Sequence, residues 1–553
     1  MVSSVTDNLS LPSTHVASDS CEEPGTPCEP QASPALPGKL AELSTRTQPR
    51  PTAIGVATSR PGFAAKGSES EAVRKNADFG RPERLASLRA TRVARETLAT
   101  APTEDVVERV TTILARQRQE AAQGRGIHAD LSRQPLPMLN LHAHFGGSIV
   151  SKLIVDLKLD LPEKFDFDAE VKKEDEANFY TSPETKGLAP YLKQYTTVSR
   201  KVPIPQPVFA RMMAHELAYS CAQNGNVAAE YRVNGLRDLF SIDKVKPENY
   251  SDYSEEYVRS IADGLDSGNA AAQKDGFKPT VFGLIFDGNR FDPRELFKKD
   301  EGVSKEEKLQ KSRASALRLV EVQFREAIRQ VNIPGNPCKV SGVGLCGLEE
   351  GHSVEYFGKA IDIIHDHNEK MHRFGQHDKI LGLSIHAGEV GTREEATAEV
   401  VKAITLGWKP HTPVRIGHGV LADLKAVKTE VEKAGIPFDQ IHFEMCPTSN
   451  IQIISGISGD NHPVLPFLRE GGNAAVYSDN DAMSGRVEKE PEVVGATEQE
   501  VLQMAMHGIP SSFRLQQLGL VDKVTKETLE KYAQRGIHLP TGADAPRRMQ
   551  VAQ

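Results

Sequence analysis

The sequence predicts an α/β protein whose main domain is a (β/α)8 barrel of the TIM type with insertions, preceded by a disordered N-terminal region. Eight short apolar, β-branched runs recur after residue 135, and helical patterns fill several of the gaps between them. This alternation indicates parallel strands joined by right-handed crossovers, and eight such units close a barrel. Polar motifs at the ends of these runs are the third observation, because a barrel carries its catalytic side chains there.

The predicted elements follow one another in the order that a barrel needs. The strands are 138–144, 227–233, 280–287, 342–346, 381–386, 413–417, 441–446 and 473–478. Helical patterns occupy 148–159, 208–224, 312–330, 356–374 and 394–406. A barrel domain over 136–545 exceeds the roughly 250 residues of a typical barrel. We therefore assign insertions to the polar segments 161–186, 243–278 and 291–311.

The segments before and after this domain differ from it in composition. The first sixty residues contain eight Pro, nine Ser, seven Thr and no aromatic residue. Such a segment buries too little apolar surface to offset the entropy cost of ordering. We expect a disordered leader over 1–77, a helical N-terminal segment over 78–135, where Arg, Ala and Leu follow a helical spacing, and a short tail over 546–553.

Charge and cysteine usage exclude several classes of partner. A net charge of -8 and a pI near 6.1 give no basic surface for nucleic acid or for an anionic membrane. A small-molecule partner is therefore favoured. The six cysteines show no paired CxxC spacing, which argues against a disulfide framework and fits a reducing compartment.

The sequence also bears on localisation. No apolar run approaches the ~20 residues that a membrane helix needs, and the N-terminus lacks the pattern of a secretory signal. We expect a cytoplasmic protein. The alternative is export into a host cell through the Ser- and Pro-rich leader, and a tail without function explains that leader equally well.

The segment 342–347 reads G-x-G-x-x-G, which makes an open, doubly wound dinucleotide-binding sheet the alternative fold. Glu349 and Glu350 follow where a pyrophosphate would bind, and no acidic residue ends a strand about 20 residues later. We therefore prefer the barrel.

Two histidines of the first predicted strand are candidate metal ligands. His142 and His144 are two residues apart, so both rings point to the same side of the strand. The alternative is a packed or solvent-facing pair. A second His-x-His pair, His365 and His367, lies in a helical pattern that turns its rings to nearly opposite sides, and we predict a surface location for it.

Further chemistry-bearing residues end later strands. His386 ends the fifth predicted strand, His418 the sixth and Asp479 the eighth. Three histidines and one aspartate suit zinc and leave a position for water, so His418 remains for electrostatic or proton-transfer work. Metal binding would lower the pKa of that water to roughly 7. Glu389, three residues after His386, is either a general acid or an acid at a helix N-terminus.

These motifs together resemble those of the adenosine deaminase family of metal-dependent amidohydrolases. They occur in the family's order over 136–545 as LHAHFGGS (141–148), EYR (230–232), HAGE (386–389), RIGHG (415–419), EMCPTSN (444–450) and YSD (477–479). The resemblance implies a barrel that binds one Zn²⁺ per chain through His142, His144, His386 and Asp479.

The resemblance also implies catalytic roles. Glu389 would protonate the purine ring nitrogen next to the attacked carbon, and His418 would orient the water and stabilise the alkoxide. Asp479 would be both a metal ligand and a catalytic residue. The backbone of Gly347 would touch the purine.

Two positions depart from the family pattern. Gly146 stands where the family has an acidic or amide residue that meets the 5' end of the sugar. Asn480 replaces the second of two adjacent aspartates, which meets the five-membered ring, and an amide forms hydrogen bonds there but cannot titrate. Gly146 either makes room for a larger 5' group or removes the contact.

Three functions therefore stay open. The first is a zinc-dependent hydrolytic deaminase that removes the 6-amino group of adenosine or a related adenine nucleoside or nucleotide, with Glu389 as proton donor. The second is an amidohydrolase for AMP, an N6-substituted AMP or a non-purine amidine. The third is a catalytically silent adenosine-binding protein, which has no need for Glu389. We expect a purine nucleoside or nucleotide as partner, and neither nucleic acid nor a membrane.

Overall fold

Eight parallel strands form one sheet in the order in which they occur along the chain. The strands are β1 (Met138–His144), β2 (Asn226–Val233), β3 (Val281–Asn289), β4 (Val340–Cys346), β5 (Gly382–Ala387), β6 (Val414–His418), β7 (His442–Met445) and β8 (Ala474–Val476). The sheet returns on itself, because Ala143 forms a parallel bridge with Asp479, just after β8. The predicted (β/α)8 barrel is confirmed.

The computed structural model describes residues 135–148, 207–233, 250–292, 295, 302–480 and 487–539. The predicted leader, all of the N-terminal helical segment except its last residue, the helix after Ser148, the insertion at 161–186 and the tail lie outside these residues. The extent of the domain, 136–545, stays a prediction.

Helices follow most of the strands and surround the sheet. They are α1 (Pro207–Gln223), α2 (Tyr250–Lys274), α3 (Lys305–Val331), α4 (Gly358–Arg373), α5 (Arg393–Gly407), α6 (Leu424–Lys433), α7 (Pro447–Ile453), α8 (Val464–Arg469), α9 (Glu490–Val493), α10 (Glu498–Ser511), α11 (Phe513–Gln517) and α12 (Val521–Ala533). Short 3₁₀ segments occur at Phe145–Gly147, Val354–Phe357, His377–Lys379, Phe438–Gln440 and Val487–Lys489. In the described part of the chain, no helix is both long and apolar enough to cross a membrane.

Local sequence signals explain where several helices begin. Thr392 caps α5 by accepting a hydrogen bond from the backbone of Glu395, whose side chain in turn accepts from the backbone of Thr392. Thr497 and Glu500 form the same capping box at the start of α10. Two of the helix's otherwise unpaired amides are satisfied in this way.

The assignment of the polar segment 243–278 to an insertion was wrong, because it contains α2, which connects β2 and β3. Its buried side chains, among them Tyr257, Ile261 and Leu265, recur every four residues and mark an amphipathic helix. Gly264 and Gly268 let the backbone of α2 approach that of α1, since a Cβ at either position would lie 2.2 Å or less from a carbonyl oxygen of α1. The end of the segment 291–311 is likewise the start of α3.

Phe513 closes the amino-terminal end of the barrel. A Cβ at Gly382, the first residue of β5, would lie 2.2 Å from its ring, and one at Gly342 would lie 2.8 Å away. On the inner side, the guanidinium of Arg415 lies 3.8 Å from the ring centroid, which is cation–π geometry. The ring therefore separates the buried charges of the barrel from the outside.

Substituting Phe513 by alanine should lower the free energy of unfolding by about 3–5 kcal/mol, because it opens a cavity under a buried guanidinium. A urea titration followed by circular dichroism measures the change. Phe374→Ala is the matched control: its ring is 64% exposed, so the change should be under about 0.5 kcal/mol. Equal effects of the two substitutions would contradict this role of Phe513.

Candidate active site

The carboxyl ends of four strands bring five predicted site residues together. They are His142, His144, His386, His418 and Asp479. Nε2 of His144 lies 3.3 Å from Nε2 of His386 and 3.6 Å from Oδ1 of Asp479. Nε2 of His142 lies 3.7 Å from the same carboxylate oxygen, and the rings of His142 and His418 are 5.1 Å apart. The residues singled out from the sequence thus form one buried cluster.

Two of these residues have a backbone conformation that residues other than glycine rarely adopt. The φ angles are +63° at His418 and +59° at Asp479, which costs on the order of 1–3 kcal/mol for each residue. Barrel hydrogen bonds hold both positions. The amide of Asp479 donates to the carbonyl of His142 at 2.8 Å, and the amide of Gly419 donates to the carbonyl of Ala387 at 2.9 Å. Closure of the barrel therefore sets the direction of both side chains.

The ring of His142 is oriented by the buried carboxylate of Glu444. Nδ1 of His142 lies 2.9 Å from Oε2 of Glu444 and 3.0 Å from Nη2 of Arg232. The carboxylate accepts a proton from this nitrogen, whereas the guanidinium could only donate one to it. Burial, reinforced by Arg232, holds the pKa of His142 well below its usual value. The ring is therefore neutral, and a proton on Nδ1, donated to Glu444, leaves the lone pair of Nε2 directed at the cluster. That Nε2 has no hydrogen-bond partner among the described residues.

His386 has the same arrangement with a backbone acceptor. Its Nδ1 donates to the carbonyl of Leu345 at 3.0 Å, which leaves Nε2 unprotonated and facing Nε2 of His144. Burial, followed by the proximity of the His142 ring, lowers the pKa of His386 well below its usual value. Unprotonated ring nitrogens this close to a carboxylate oxygen form a donor set that suits Zn²⁺. The residues present therefore fit a divalent metal ion.

Polar partners on α7 orient Asp479 and His418. Oγ of Ser449 donates to Oδ2 of Asp479 at 2.6 Å, so that Oδ1 faces the histidines. The side-chain amide of Asn450 donates through Nδ2 to Nδ1 of His418 at 3.0 Å. Its Oδ1 accepts from Nε2 of His462 at 3.1 Å. His418 therefore carries its proton on Nε2. Burial, followed by Arg232, lowers its pKa to about 3, so the ring is neutral.

Glu389 lies beside His418, with Oε1 3.5 Å from Nε2 of that ring. Burial raises its pKa well above the usual value, and the neighbouring Glu349 and Asp479 raise it further. These effects favour the protonated, uncharged form of the carboxyl group. Glu389 is buried and is thus not an exposed acid at the start of a helix.

Glu349 is a site residue that the sequence interpretation missed. Its carboxylate accepts hydrogen bonds from the backbone amides of Gly388 at 3.0 Å and Glu389 at 3.4 Å, and burial raises its pKa to about 7. It therefore holds the turn that carries Glu389. An acidic residue two positions after the glycine that follows β4 was the available signal, and it was used only as an argument against a nucleotide.

The predicted surface location of His365 and His367 was wrong. They are 9% and 7% exposed, and their rings bond to Thr412, the carbonyl of Leu406 and the carbonyl of Lys379. These contacts lie near the starts of β5 and β6, at the opposite end of the barrel from the site. The pair therefore lies apart from the cluster formed by His142, His144, His386, His418 and Asp479.

Two glycines near the site, Gly147 and Gly347, lie so close to neighbouring side chains that a Cβ would not fit. Gly146 and Gly147 belong to the 3₁₀ turn after β1. A Cβ on Gly147 would lie 1.7 Å from Oδ1 of the buried Asn480. Gly347 has a φ of +92°, and a Cβ there would lie 2.2 Å from Oδ1 of Asn289. The predicted contacts of Gly146, Gly347 and Asn480 with a substrate stay predictions.

Comparison with known proteins bears directly on this cluster. Residues 311–527 match the family model described as Adenosine deaminase. This part of the chain is similar to the adenosine deaminase family. The matched region includes His386, Glu389, His418 and Asp479, whereas His142 and the rest of β1 precede it.

Individual family members are similar to parts of the chain. An adenosine deaminase of Clostridium botulinum (strain Okra / Type B1) is 29% identical over 199 residues, which are 35% of this chain and 50% of that protein. An adenine deaminase of Sinorhizobium fredii is 29% identical over 198 residues, 34% of this chain and 51% of that protein. The chain thus spans about half the length of these relatives. The crystal structure of an Arabidopsis N6-mAMP deaminase has a TM-score of 0.49 and 18% identity, covering 70% of this chain and 98% of that one.

Gly147→Ala should lower the free energy of unfolding by about 1–3 kcal/mol, because the new methyl group displaces Asn480. Gly358→Ala is the control, since a Cβ there meets nothing within 4 Å. In the double variant Gly147→Ala/Asn480→Ala the loss should be smaller than the sum of the two single losses. Urea titrations of the four variants measure this coupling, and strict additivity would show that Gly147 and Asn480 do not constrain each other.

Proposed function

We propose that the chain is a zinc-dependent hydrolytic deaminase that removes the 6-amino group of adenosine or of a related adenine nucleoside or nucleotide. The observation that carries this proposal is the buried Glu389, 3.5 Å from the ring of His418 and next to a cluster of side chains that fit a metal ion. The related adenosine and adenine deaminases act, by their names, on compounds that share the 6-aminopurine ring. The proposal extends that common chemistry to this chain.

His142, His144, His386 and Asp479 would hold one zinc ion per chain. When bound, such an ion would lower the pKa of its water to roughly 7, so that a nucleophile would be present near neutral pH. The chain's contribution is to keep the rings of His142 and His386 neutral by burial and to bring Nε2 of His142 and His144 within 3.7 Å of Oδ1 of Asp479. Oδ1 of Asp479 would also be available to accept a proton, since Ser449 donates to the other oxygen.

Glu389 supplies the proton that the purine ring requires. Attack at the carbon that bears the amino group pushes electrons onto the neighbouring ring nitrogen, and a proton placed there stabilises the transition state. Burial raises the pKa of Glu389 and thereby favours the protonated form in the free site. Glu349 keeps it in place by binding the backbone of its turn.

His418 orients the attacking oxygen. Its Nε2 proton points toward the cluster because Asn450 donates to Nδ1. The neutral ring donates a hydrogen bond to the oxygen that develops negative charge, and this acts most strongly in a water-poor site. Its pKa of about 3 keeps the ring from taking up a proton at the pH where the enzyme works.

Recognition of the substrate falls to Gly347 and Asn480 for the purine and to the turn at Gly146 for the 5' end. Gly146 favours a second candidate within the same chemistry, an amidohydrolase for AMP or an N6-substituted AMP, because a position without a side chain leaves room for a phosphate. A non-purine amidine is the remaining substrate class. A silent adenosine-binding protein is disfavoured, because it has no use for a buried proton donor.

Glu389→Gln should reduce kcat by about 10²–10⁴-fold while zinc content stays at one per chain, because the amide keeps the shape but cannot supply the proton. Glu350→Gln, the same substitution at the exposed glutamate that follows Glu349, should leave kcat and zinc content unchanged. His142→Ala should lose zinc and turnover together. Near-normal turnover of Glu389→Gln would show that the general-acid assignment is wrong.

The same assays define the substrate. Zinc-loaded protein is incubated with adenosine, deoxyadenosine, AMP, N6-methyl-AMP and adenine, and the 6-oxopurine product and the released amine are measured. Preference for a nucleotide would assign a 5'-phosphate to the space at Gly146, and preference for adenosine would support the first candidate. If zinc is bound and none of the five is converted, deamination of adenine compounds is refuted.

A further inference from the structure

Asp287 is a buried carboxylate that no motif of the sequence singled out, and it lies next to a predicted metal ligand. It is located on β3, and its Oδ2 lies 3.4 Å from Nδ1 of His144. Its other oxygen lies 3.9 Å from Nη1 of Arg232. The side chain has no contact with solvent. A charge this deeply buried is costly unless it interacts with a partner.

The barrel makes space for this carboxylate. Asp287 pairs with Gly344 across β3 and β4. A Cβ at Gly344 would lie 2.3 Å from Oδ1 of Asp287 and 3.1 Å from Nη1 of Arg232. The φ of Gly344 lies outside the left-handed region that favours glycine, so its own backbone does not require the missing side chain. The missing side chain instead provides the space that the Asp287 carboxylate occupies.

Each histidine of the predicted ligand set has an oxygen facing Nδ1. His142 faces Glu444 at 2.9 Å and His386 faces the carbonyl of Leu345 at 3.0 Å. For His144 the corresponding oxygen is that of Asp287. Acceptors of this kind fix the tautomer and the ring orientation of metal-binding histidines.

We propose that Asp287 is a positioning residue, which accepts the Nδ1 proton of His144 and thereby directs Nε2 of that ring at the metal. This inference rests on the metal site of the proposed function. Arg232 connects the two carboxylates involved, since it donates to Glu444 and faces Asp287. The orientations of His142 and His144 are therefore coupled through one guanidinium.

The same atoms suggest a different use. Ligand atoms of His144, Asp287 and Cys346 lie within 4.8 Å of one another, as in a three-ligand metal site. Two features argue against a second metal there. His144 would have to coordinate through both ring nitrogens, and the Arg232 guanidinium, 3.9 Å from Asp287, would repel a second dication.

The test measures zinc affinity of the metal-free full-length chain by competition with a chelator. Asp287→Ala should bind zinc about 10–100-fold more weakly than the wild type, which is typical for loss of such an oriented partner. Asp287→Asn should keep most of the affinity, because its amide oxygen still accepts the Nδ1 proton. Asp292→Asn is the matched control: it is also buried, it is held by Ser315, and it should bind zinc like the wild type.

A second variant tests the space argument without removing the carboxylate. Gly344→Ala should weaken zinc binding in the wild-type background and have a smaller effect in Asp287→Ala. The visible spectrum of the cobalt-substituted protein reports the ligand geometry and should change in Asp287→Ala but not in Asp292→Asn.

Two results would overturn the inference. One is an unchanged zinc affinity in folded Asp287→Ala. The other is two zinc ions per chain in the wild type, falling to one in both Asp287→Ala and Cys346→Ser, which would establish a second metal site. Because these measurements use no substrate, Asp287-dependent zinc binding without turnover would refute only the deaminase function. Turnover with Asp287-independent binding would refute only this inference.

Discussion

The interaction on which the rest of the structure depends is the ion pairing of Glu444 inside the barrel. Burial alone would raise the pKa of this carboxyl, but Arg415 and Arg232 hold it below its usual value. Arg415 also binds Glu230 at 2.8 Å, and Glu230 accepts from Oγ of Ser512 at 2.7 Å. Positively and negatively charged side chains therefore alternate from the amino-terminal end of the barrel, which Phe513 closes, to the site. Removing one member leaves an uncompensated buried charge, which costs on the order of 3–5 kcal/mol.

This row of charges ends at the proposed metal site. The net charge of this row is -1, because it contains three carboxylates (Glu230, Glu444 and Asp287) and two guanidiniums (Arg415 and Arg232). Glu444 faces His142, and Asp287 faces His144. Asp479 adds a second negative charge on the other side of the rings. A zinc ion would balance both. On the proposed function, the interactions that hold the barrel interior thus also set the negative charge that a bound ion would balance.

Two glycines near the site each make space for a different polar side chain. Gly344 makes space for the carboxylate of Asp287, and Gly147 makes space for the carboxamide of Asn480. The first contact concerns the proposed metal and the second the proposed substrate. His418 and Asp479 have strained φ angles. The amide of Gly419, next to His418, bonds to the end of β5, and the amide of Asp479 bonds to β1. Side chains at this end of the barrel are thus placed by strand closure and by the absence of side chains on their neighbours.

The sequence by itself determined the barrel and the cluster, because strand periodicity and the position of a residue at a strand end are local properties. It placed His142 and His144 on one side of β1 before any contact was known. Only the tertiary structure decided the partners: Asp287 for His144, Glu349 for the turn of Glu389, and a buried setting for the pair at 365 and 367. These depend on the register between strands and on helix packing across distant segments, which residue spacing within one segment does not encode.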